Sequence, residues 1–141
     1  MSALSDYAEN KVLDAITGTT TFTAPTNVYL GLATASLGDD DSGTELTGNS
    51  YARVSVSFSA ASGGTTSNSA AIEFAAATGS WGSVSHWALY DASTGGNQLL
   101  NGSFSTAKTI GSGDVLKSTQ VISTSPLPNV VCHGDPQTKS G

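Results

Sequence analysis

The sequence predicts an all-β protein: an antiparallel β-sandwich of jelly-roll type, preceded by a short N-terminal helix. Short segments that alternate apolar and polar residues recur at intervals of roughly 8–12 residues, separated by glycine-rich turns. Only 11% of the residues are charged and 38% are hydrophobic, so small uncharged residues dominate. Strands and helices do not alternate, which argues against a parallel α/β fold. We divide the 141 residues into a helical arm (1–18), a sandwich domain (19–122) and a polar, proline-containing tail (123–141).

The arm is predicted to contain one helix. Ser5 or Asp6 can cap its start, and Gly18 stands where a glycine commonly ends a helix. The predicted apolar face consists of Ala8, Val12, Ala15 and Ile16. So short a helix is marginal by itself, so we expect it to pack either on its own sheet or on a neighbouring subunit.

About six or seven short strands are predicted after the arm, including residues 28–33, 51–58, 70–74, 84–90, 98–107 and 115–122. The clearest is 51–58, which alternates strictly and turns Val54 and Val56 towards one face. Residues 84–90 carry large side chains on both faces, which indicates a central strand. Between the first two strands, residues 37–50 form a long loop with an acidic run, which we interpret as a contact loop.

The charge distribution argues against several classes of partner. The formal net charge is −6, and the five lysines and arginines are scattered along the chain. Binding to nucleic acid requires clustered basic residues, and an anionic membrane would repel the chain, so we expect neither partner. A weakly charged surface indicates coverage by other subunits, with a soluble monomer as the alternative. The first residues lack the pattern of a signal peptide, so we expect assembly in a cytoplasm.

No motif indicates catalysis, a cofactor or a bound metal. His86 is the only histidine outside the tail and has no recognisable partner, so we interpret it as structural. Cys132 is the only cysteine, which excludes an intrachain disulfide, and with His133 it supplies too few ligands for a zinc site. The acidic loop resembles a calcium loop, but the spacing of its ligands fails, and a solvated acidic loop is the preferred alternative. We therefore expect no enzyme, no cofactor and no metal site.

The candidate sites are contacts with partner proteins. Trp81 lies in a predicted turn and either belongs to an aromatic contact surface or packs in the core, whereas Trp87 is assigned to the core. The N-terminal arm and the acidic loop supply the remaining candidates. The predicted contact residues are Leu4, Tyr7, Asp39, Asp40, Asp41, Glu45 and Trp81.

The chain also resembles a family of small tailed-bacteriophage virion proteins. The resemblance begins with LSDYAENKVLD at 4–14 and continues in order through six further segments. These are VYLGL at 28–32, GNSYARV at 48–54, SNSAA at 67–71, WGSV at 81–84, TGGNQLL at 94–100, and finally KTI at 108–110 with GDVL at 113–116. Members are labelled head-decoration (cement) or tail-fibre proteins. The resemblance implies a β-sandwich virion module without catalytic residues. Members of the family usually end with an alternating strand after the Gly-Asp turn, whereas this chain continues into the proline-containing tail.

Together these observations favour a capsid decoration protein, located in the virion and assembled in the host bacterial cytoplasm. It would bind the outside of a phage head and bridge capsomers, with the major capsid protein and copies of itself as partners. The alternative is a tail fibre, adaptor or tip component that contacts a host surface receptor. A carbohydrate-binding module and a hydrolase are the remaining hypotheses. The sequence shows no activated nucleophile, which argues against a hydrolase.

Overall fold

The computed structural model describes residues 2–118 and 123–124 and has the expected all-β fold with one short N-terminal helix. A five-stranded antiparallel sheet is accompanied by two two-stranded antiparallel sheets. The elements in chain order are β1 (Ser2–Leu4), α1 (Asp6–Ile16), β2 (Val28–Ala33), β3 (Val54–Val56), β4 (Thr66–Ser67), β5 (Ile72–Glu73), β6 (Gly82–Tyr90), β7 (Gln98–Ile110), β8 (Lys117–Ser118) and β9 (Ser123–Thr124).

The large sheet has the strand order β1-β7-β6-β2-β3, which puts β6 in the centre, as its two apolar faces predict. In β2, Leu30 lies opposite Leu89 and Leu32 opposite Trp87 of β6. A glycine-rich hairpin at residues 91–97 joins β6 to β7. The N-terminal strand β1 is added at the far edge of β7, and this placement brings the arm next to the sheet.

One face of the large sheet carries the main hydrophobic core. The two short sheets, β5 with β8 and β4 with β9, are formed by chain segments outside the large sheet. Of these strands, β5 contributes Ile72 to the main core. Ile72 and Phe74 are each only 3% exposed and Glu73 between them is exposed, as the predicted alternation requires. The buried members of the core are Leu30, Leu32, Val56, Ile72, Phe74, Ala77, Trp81, Val84, Trp87, Leu89 and Ile110.

The loop at residues 37–50 packs on the opposite face of the sheet. A second buried cluster here joins Leu37 of that loop to Ala33, Ala88 and Tyr90 of the sheet. Gly31 allows the approach, because a Cβ at this position would lie 2.7 Å from Glu45 Oε1 and 2.9 Å from Tyr90 Cε2. The predicted contact loop is thus docked on the sheet.

The helix begins and ends as predicted, but its own sheet covers little of it. Ser5 is the N-cap, and its hydroxyl accepts a hydrogen bond from the Ala8 amide at 3.2 Å. Gly18 follows the helix with a φ of 75°. Of the predicted apolar face only Ala8 is buried, whereas Val12 is 37% and Ile16 is 76% exposed. Packing on its own sheet therefore accounts for one turn of the helix.

The end of the chain is described only in part. Of the predicted last strand at residues 115–122, Lys117 and Ser118 form β8, and 119–122 lie outside the described residues. The predicted tail begins with β9, which pairs with β4; the rest of it, with Cys132 and His133, lies outside the described residues. Within the described part of the chain, no helix has the length and apolar character to cross a membrane.

Candidate functional site

The structure joins the two regions that the sequence predicts as contacts. The Ser5 amide donates to the Leu99 carbonyl of β7 at 2.9 Å, and the next amide, of Asp6, donates to the Asp39 carbonyl of the acidic loop, also at 2.9 Å. The start of α1 and residues 39–41 of the acidic loop therefore form one continuous surface. We call this surface, made of α1 and residues 39–41, the arm–loop corner.

Polar side chains from the start of β7 hold the corner in place. Gln98 Nε2 donates to the Gly38 carbonyl at 2.6 Å, and Asn101 Nδ2 donates to Asp39 Oδ1 at 2.8 Å. The Ser5 hydroxyl donates to the Gln98 carbonyl. Gln98 is 2% exposed, and its Oε1 is the one buried side-chain polar atom of the described residues without a hydrogen-bond partner. The corner thus rests on a buried polar junction.

The three aspartates of the corner are all exposed. Asp40 Oδ1 accepts a hydrogen bond from the Ser42 amide at 3.1 Å, and hydrogen bonds from the Ser42 side chain and backbone hold the pKa of Asp40 below its ordinary value. Asp41 has a φ of 56°, and its Oδ1 accepts a bond from the Tyr90 hydroxyl at 3.3 Å. The turn therefore presents fixed negative charge to solvent.

Glu45, the fourth predicted acidic contact, is instead held inside the molecule. Arg53 Nη2 lies 2.7 Å from Glu45 Oε2, and the two side chains are only 9% (Arg53) and 19% (Glu45) exposed. Glu45 Oε1 also accepts from the Tyr51 hydroxyl at 2.5 Å, while that hydroxyl accepts from the Leu32 amide at 2.8 Å. Glu45 thus ties the loop to β2 and to the segment before β3.

The same arginine holds the β6–β7 hairpin. Arg53 Nη1 donates to the carbonyls of Ala92 at 2.9 Å and Gly95 at 2.8 Å. Its guanidinium lies 3.4 Å from the centre of the Tyr90 ring. We call Glu45, Tyr51, Arg53 and Tyr90 the Arg53 network. Sequence reasoning missed it, because no spacing rule links positions 45, 53 and 90.

The protonation states in the Arg53 network follow from its burial. Burial, and then the hydrogen bond to Glu45, raise the pKa of Tyr51. Burial and the negative charge of Asp41 raise the pKa of Tyr90. For Arg53, burial opposes the charged form, but the hydrogen bond to Glu45 and its charge outweigh it and raise the pKa. The tyrosines stay neutral and the arginine stays charged at neutral pH, so the network is structural.

The remaining predicted contact residues differ in their exposure to solvent. Tyr7 is 37% exposed on the first turn of α1, with Lys11 Nζ 5.5 Å from its ring centre. Leu4 is half-buried in β1 opposite Leu100. Trp81 is only 5% exposed, and its Nε1 donates to the Asn49 carbonyl at 3.1 Å. The structure thus places Trp81 in the core and leaves Tyr7 with the aspartates at the surface.

A pair of side chains on β6 is arranged unlike an activated nucleophile. Ser85 Oγ lies 2.7 Å from His86 Nδ1 and donates to the Thr34 carbonyl at 2.9 Å. A serine hydroxyl has one proton. Because the serine uses that proton in its hydrogen bond to the Thr34 carbonyl, the imidazole Nδ1 donates to Ser85 Oγ. Activation of the serine as a nucleophile requires the opposite direction, with Nδ1 accepting the serine proton. In the described part of the chain, no three His, Cys, Asp or Glu side chains are grouped so that they could hold a metal ion.

Comparison with known protein families finds a match that covers most of the chain. The model of the family described as podophage GP4 fiber I protein gp80 matches residues 3–123. The matched range includes α1, the acidic loop, the whole of β2, β3, β6 and β7, and β1 from Ala3 onwards. No curated protein matches the chain.

Proposed function

This chain belongs to the podophage GP4 fiber I protein gp80 family, and from that premise we propose that it is a non-catalytic structural component of the phage tail fibre. Membership makes it a bacteriophage structural protein and a component of the virion. Of the two locations that the sequence left open, the family description favours the alternative, the fibre. The match over residues 3–123 is the observation that carries the proposal.

The surface of the folded chain is consistent with a structural role. The arm–loop corner presents exposed apolar and acidic side chains next to each other, as expected of a protein that is covered by a partner. Gln98 and Asn101 of β7 donate hydrogen bonds to the loop at Gly38 and Asp39 and so hold this corner on the sheet. Arg53 donates to Glu45 of the same loop and to the Ala92 carbonyl of the hairpin. Rigid support of an exposed contact surface favours a part that is built into a larger assembly.

The non-catalytic part of the proposal is supported by the chemistry of the described side chains. The direction of the Ser85–His86 hydrogen bond opposes nucleophile activation. Glu45, which is the most enclosed carboxylate of the acidic loop, is neutralised by Arg53 and hydrogen-bonded to Tyr51. These groups stabilise the fold and leave little reactive chemistry at the surface.

Decoration of the capsid, which the sequence favours, stays a prediction. Its support is the low charged fraction of 11%, which suits broad contacts between subunits. Both locations require the chain in purified particles, but they differ in number. A decoration protein is present in hundreds of copies and covers the head, whereas a fibre component is present in a handful of copies at the tail.

The test is quantitative mass spectrometry of purified virions combined with immunogold electron microscopy. We expect a small copy number relative to the major capsid protein and gold label at the tail only. Hundreds of copies with label over the head would replace the fibre proposal by decoration. Absence of the chain from purified virions would contradict both. Assembly with copies of itself is expected and is tested by sedimentation of the purified chain.

A further inference from the structure

The helix of the arm–loop corner leaves an apolar stripe uncovered. Four of the six exposed large apolar side chains in the described residues lie on α1: Tyr7, Val12, Leu13 and Ile16. Val12 and Ile16 are one turn apart and Leu13 adjoins them, so the three form one stripe. Ile16 is 76% and Leu13 is 59% exposed. An 11-residue helix is marginal by itself, so a stripe of this kind calls for a partner that covers it.

The charges around the stripe define the kind of partner. The helix carries three acids and one lysine, namely Asp6, Glu9, Asp14 and Lys11, and the adjoining turn at 39–41 adds three aspartates. The corner therefore holds five of the six net negative charges of the chain. Elsewhere the charges largely cancel, since Arg53 pairs with Glu45 and Lys117 with Glu73.

This concentration of charge argues against three occupants. A second copy docked through the same corner would bring a like charge of the same size, and like-charge juxtaposition costs several kcal/mol. Another face of a second copy fits poorly too, because Lys108 is the only lysine or arginine that the described residues carry outside α1 and the two ion pairs. Nucleic acid and anionic membranes are negatively charged, so the acidic corner repels them as well.

We propose that the apolar stripe of α1 and the aspartates at 39–41 dock a different virion protein whose surface is basic and carries apolar side chains. Apolar burial on Val12, Leu13 and Ile16 would supply affinity, and the acids would select the basic partner and set its orientation. The inference rests on the proposed function only in taking the partner from the virion. The surface itself is defined by the folded chain and can be tested on the purified protein.

The first experiment uses calorimetry with the purified full chain and designed helical peptides of about 18 residues, or five turns. One peptide has a leucine face and a lysine face; two matched peptides replace lysine by glutamate or leucine by serine. We expect the leucine–lysine peptide to bind at least about tenfold more tightly than either, a difference of about 1.4 kcal/mol. Raising NaCl from about 0.05 to about 0.3 M should weaken its binding.

Variants of the chain locate the binding. Leu13→Ser with Ile16→Ser, and separately Glu9→Gln with Asp40→Asn, should each weaken the leucine–lysine peptide at least about fivefold. The matched controls are Val115→Ser, another exposed apolar residue, and Glu73→Gln, an exposed acid outside the corner. They should leave binding unchanged. Equal loss in the controls, or no loss in the corner variants, would overturn the proposal.

The second experiment places a photoreactive phenylalanine analogue at Leu13 and, as control, at Thr106, which is exposed on β7. After irradiation of purified virions, we expect Leu13 to cross-link to another structural protein, at a peptide rich in lysine or arginine beside apolar residues. A cross-link between two copies at Leu13, or one to an acidic surface, would refute the proposed partner. If the chain is absent from virions, the proposed function fails while the peptide test still decides on the surface.

Discussion

The guanidinium of Arg53 lies 3.4 Å from the centre of the Tyr90 ring while its Nη2 contacts Glu45 Oε2 at 2.7 Å. One side chain from the segment before β3 thus binds a loop, a hairpin and the central strand of the sheet. The geometry requires the planar guanidinium, because a lysine has neither the fork for the carboxylate nor the flat face for the ring.

We therefore expect Arg53→Lys to lower the free energy of unfolding by about 2–3 kcal/mol, less than the loss of a fully buried pair because both side chains keep some exposure. Urea denaturation checks this. The control is Lys117→Gln, whose partner Glu73 is 60% exposed, as Lys117 is 62%; we expect a change within about 1 kcal/mol. Equal effects of the two substitutions would contradict a structural role for the Arg53 network.

Substitution of Trp81 tests whether this residue acts as part of the core or as part of a binding surface. Its ring meets Tyr51 edge-on at 5.5 Å and Phe74 at 6.2 Å, and it is 5% exposed. We expect Trp81→Ala to cost about 3–5 kcal/mol in unfolding free energy. The matched surface substitution, Phe22→Ala, should cost about 0.5 kcal/mol or less, since Phe22 is 39% exposed. A stable Trp81→Ala variant that loses binding to a glycan would favour a carbohydrate-binding module instead.

Gly43 marks the closest passage of the acidic loop along its own backbone. Its amide donates to the Leu37 carbonyl at 2.9 Å, and a Cβ at this position would lie 2.5 Å from the Ser36 carbonyl oxygen. We expect Gly43→Ala to lower the unfolding free energy by about 1–3 kcal/mol because backbone has to move. Gly111→Ala, where the nearest atom is 3.6 Å away, is the control and should be nearly neutral. Thermal denaturation of both variants decides.

Ser5 joins the start of the helix to β7 through one hydroxyl. That hydroxyl accepts from the Ala8 amide and donates to the Gln98 carbonyl. We expect Ser5→Ala to cost about 1–2 kcal/mol and to reduce helical ellipticity measured by circular dichroism. Ser83→Ala, at an exposed position of β6, should change neither quantity. Loss of stability without loss of helix would place the effect on the sheet side of the junction.

Alkaline pH should destabilise the fold through its buried tyrosines. Burial and hydrogen bonding raise the pKa of Tyr51 above its ordinary value of 10.0, and the pKa of Tyr90 is raised as well. The unfolded chain therefore loses these protons first, so the stability contributed by the protonated tyrosines is complete below about pH 10 and declines above it.

The measurement is the urea midpoint between about pH 8 and about pH 11. We expect a steady fall above about pH 10. Tyr51→Phe should be less stable at neutral pH, because Glu45 and the Leu32 amide lose a partner, but should show a shallower fall at high pH. A fall of the same steepness in Tyr51→Phe would assign the alkaline effect to other groups.

Local patterns predicted the parts of the fold that depend on local geometry. The strand at 28–33 has the predicted bounds, and Ser5 caps the helix because its hydroxyl oxygen is a suitable acceptor for the first free amides. The predicted strand at 51–58 is reduced to Val54–Val56, with a further bridge from Phe58 to Asn68. Positive φ angles at Asn49 and Ser50 turn the chain just before it.

The parts that depend on distant contacts were beyond local patterns. The amphipathic pattern of α1 identifies its apolar residues but not what covers them. Trp81 stands in a turn sequence, and only the approach of Tyr51 and Phe74 makes it a core residue. Glu45 was grouped with the acidic run because nothing in the sequence indicates that Arg53 neutralises it.

The uneven distribution of charge also has a consequence before any contact forms. With five of six net negative charges at the arm–loop corner, the folded chain has a permanent electric dipole whose negative end is that corner. A freely diffusing copy that nears a positive surface is rotated by that field so that the helix leads. Incorporation into a growing particle should then be fastest at low ionic strength, because most encounters begin in the productive orientation.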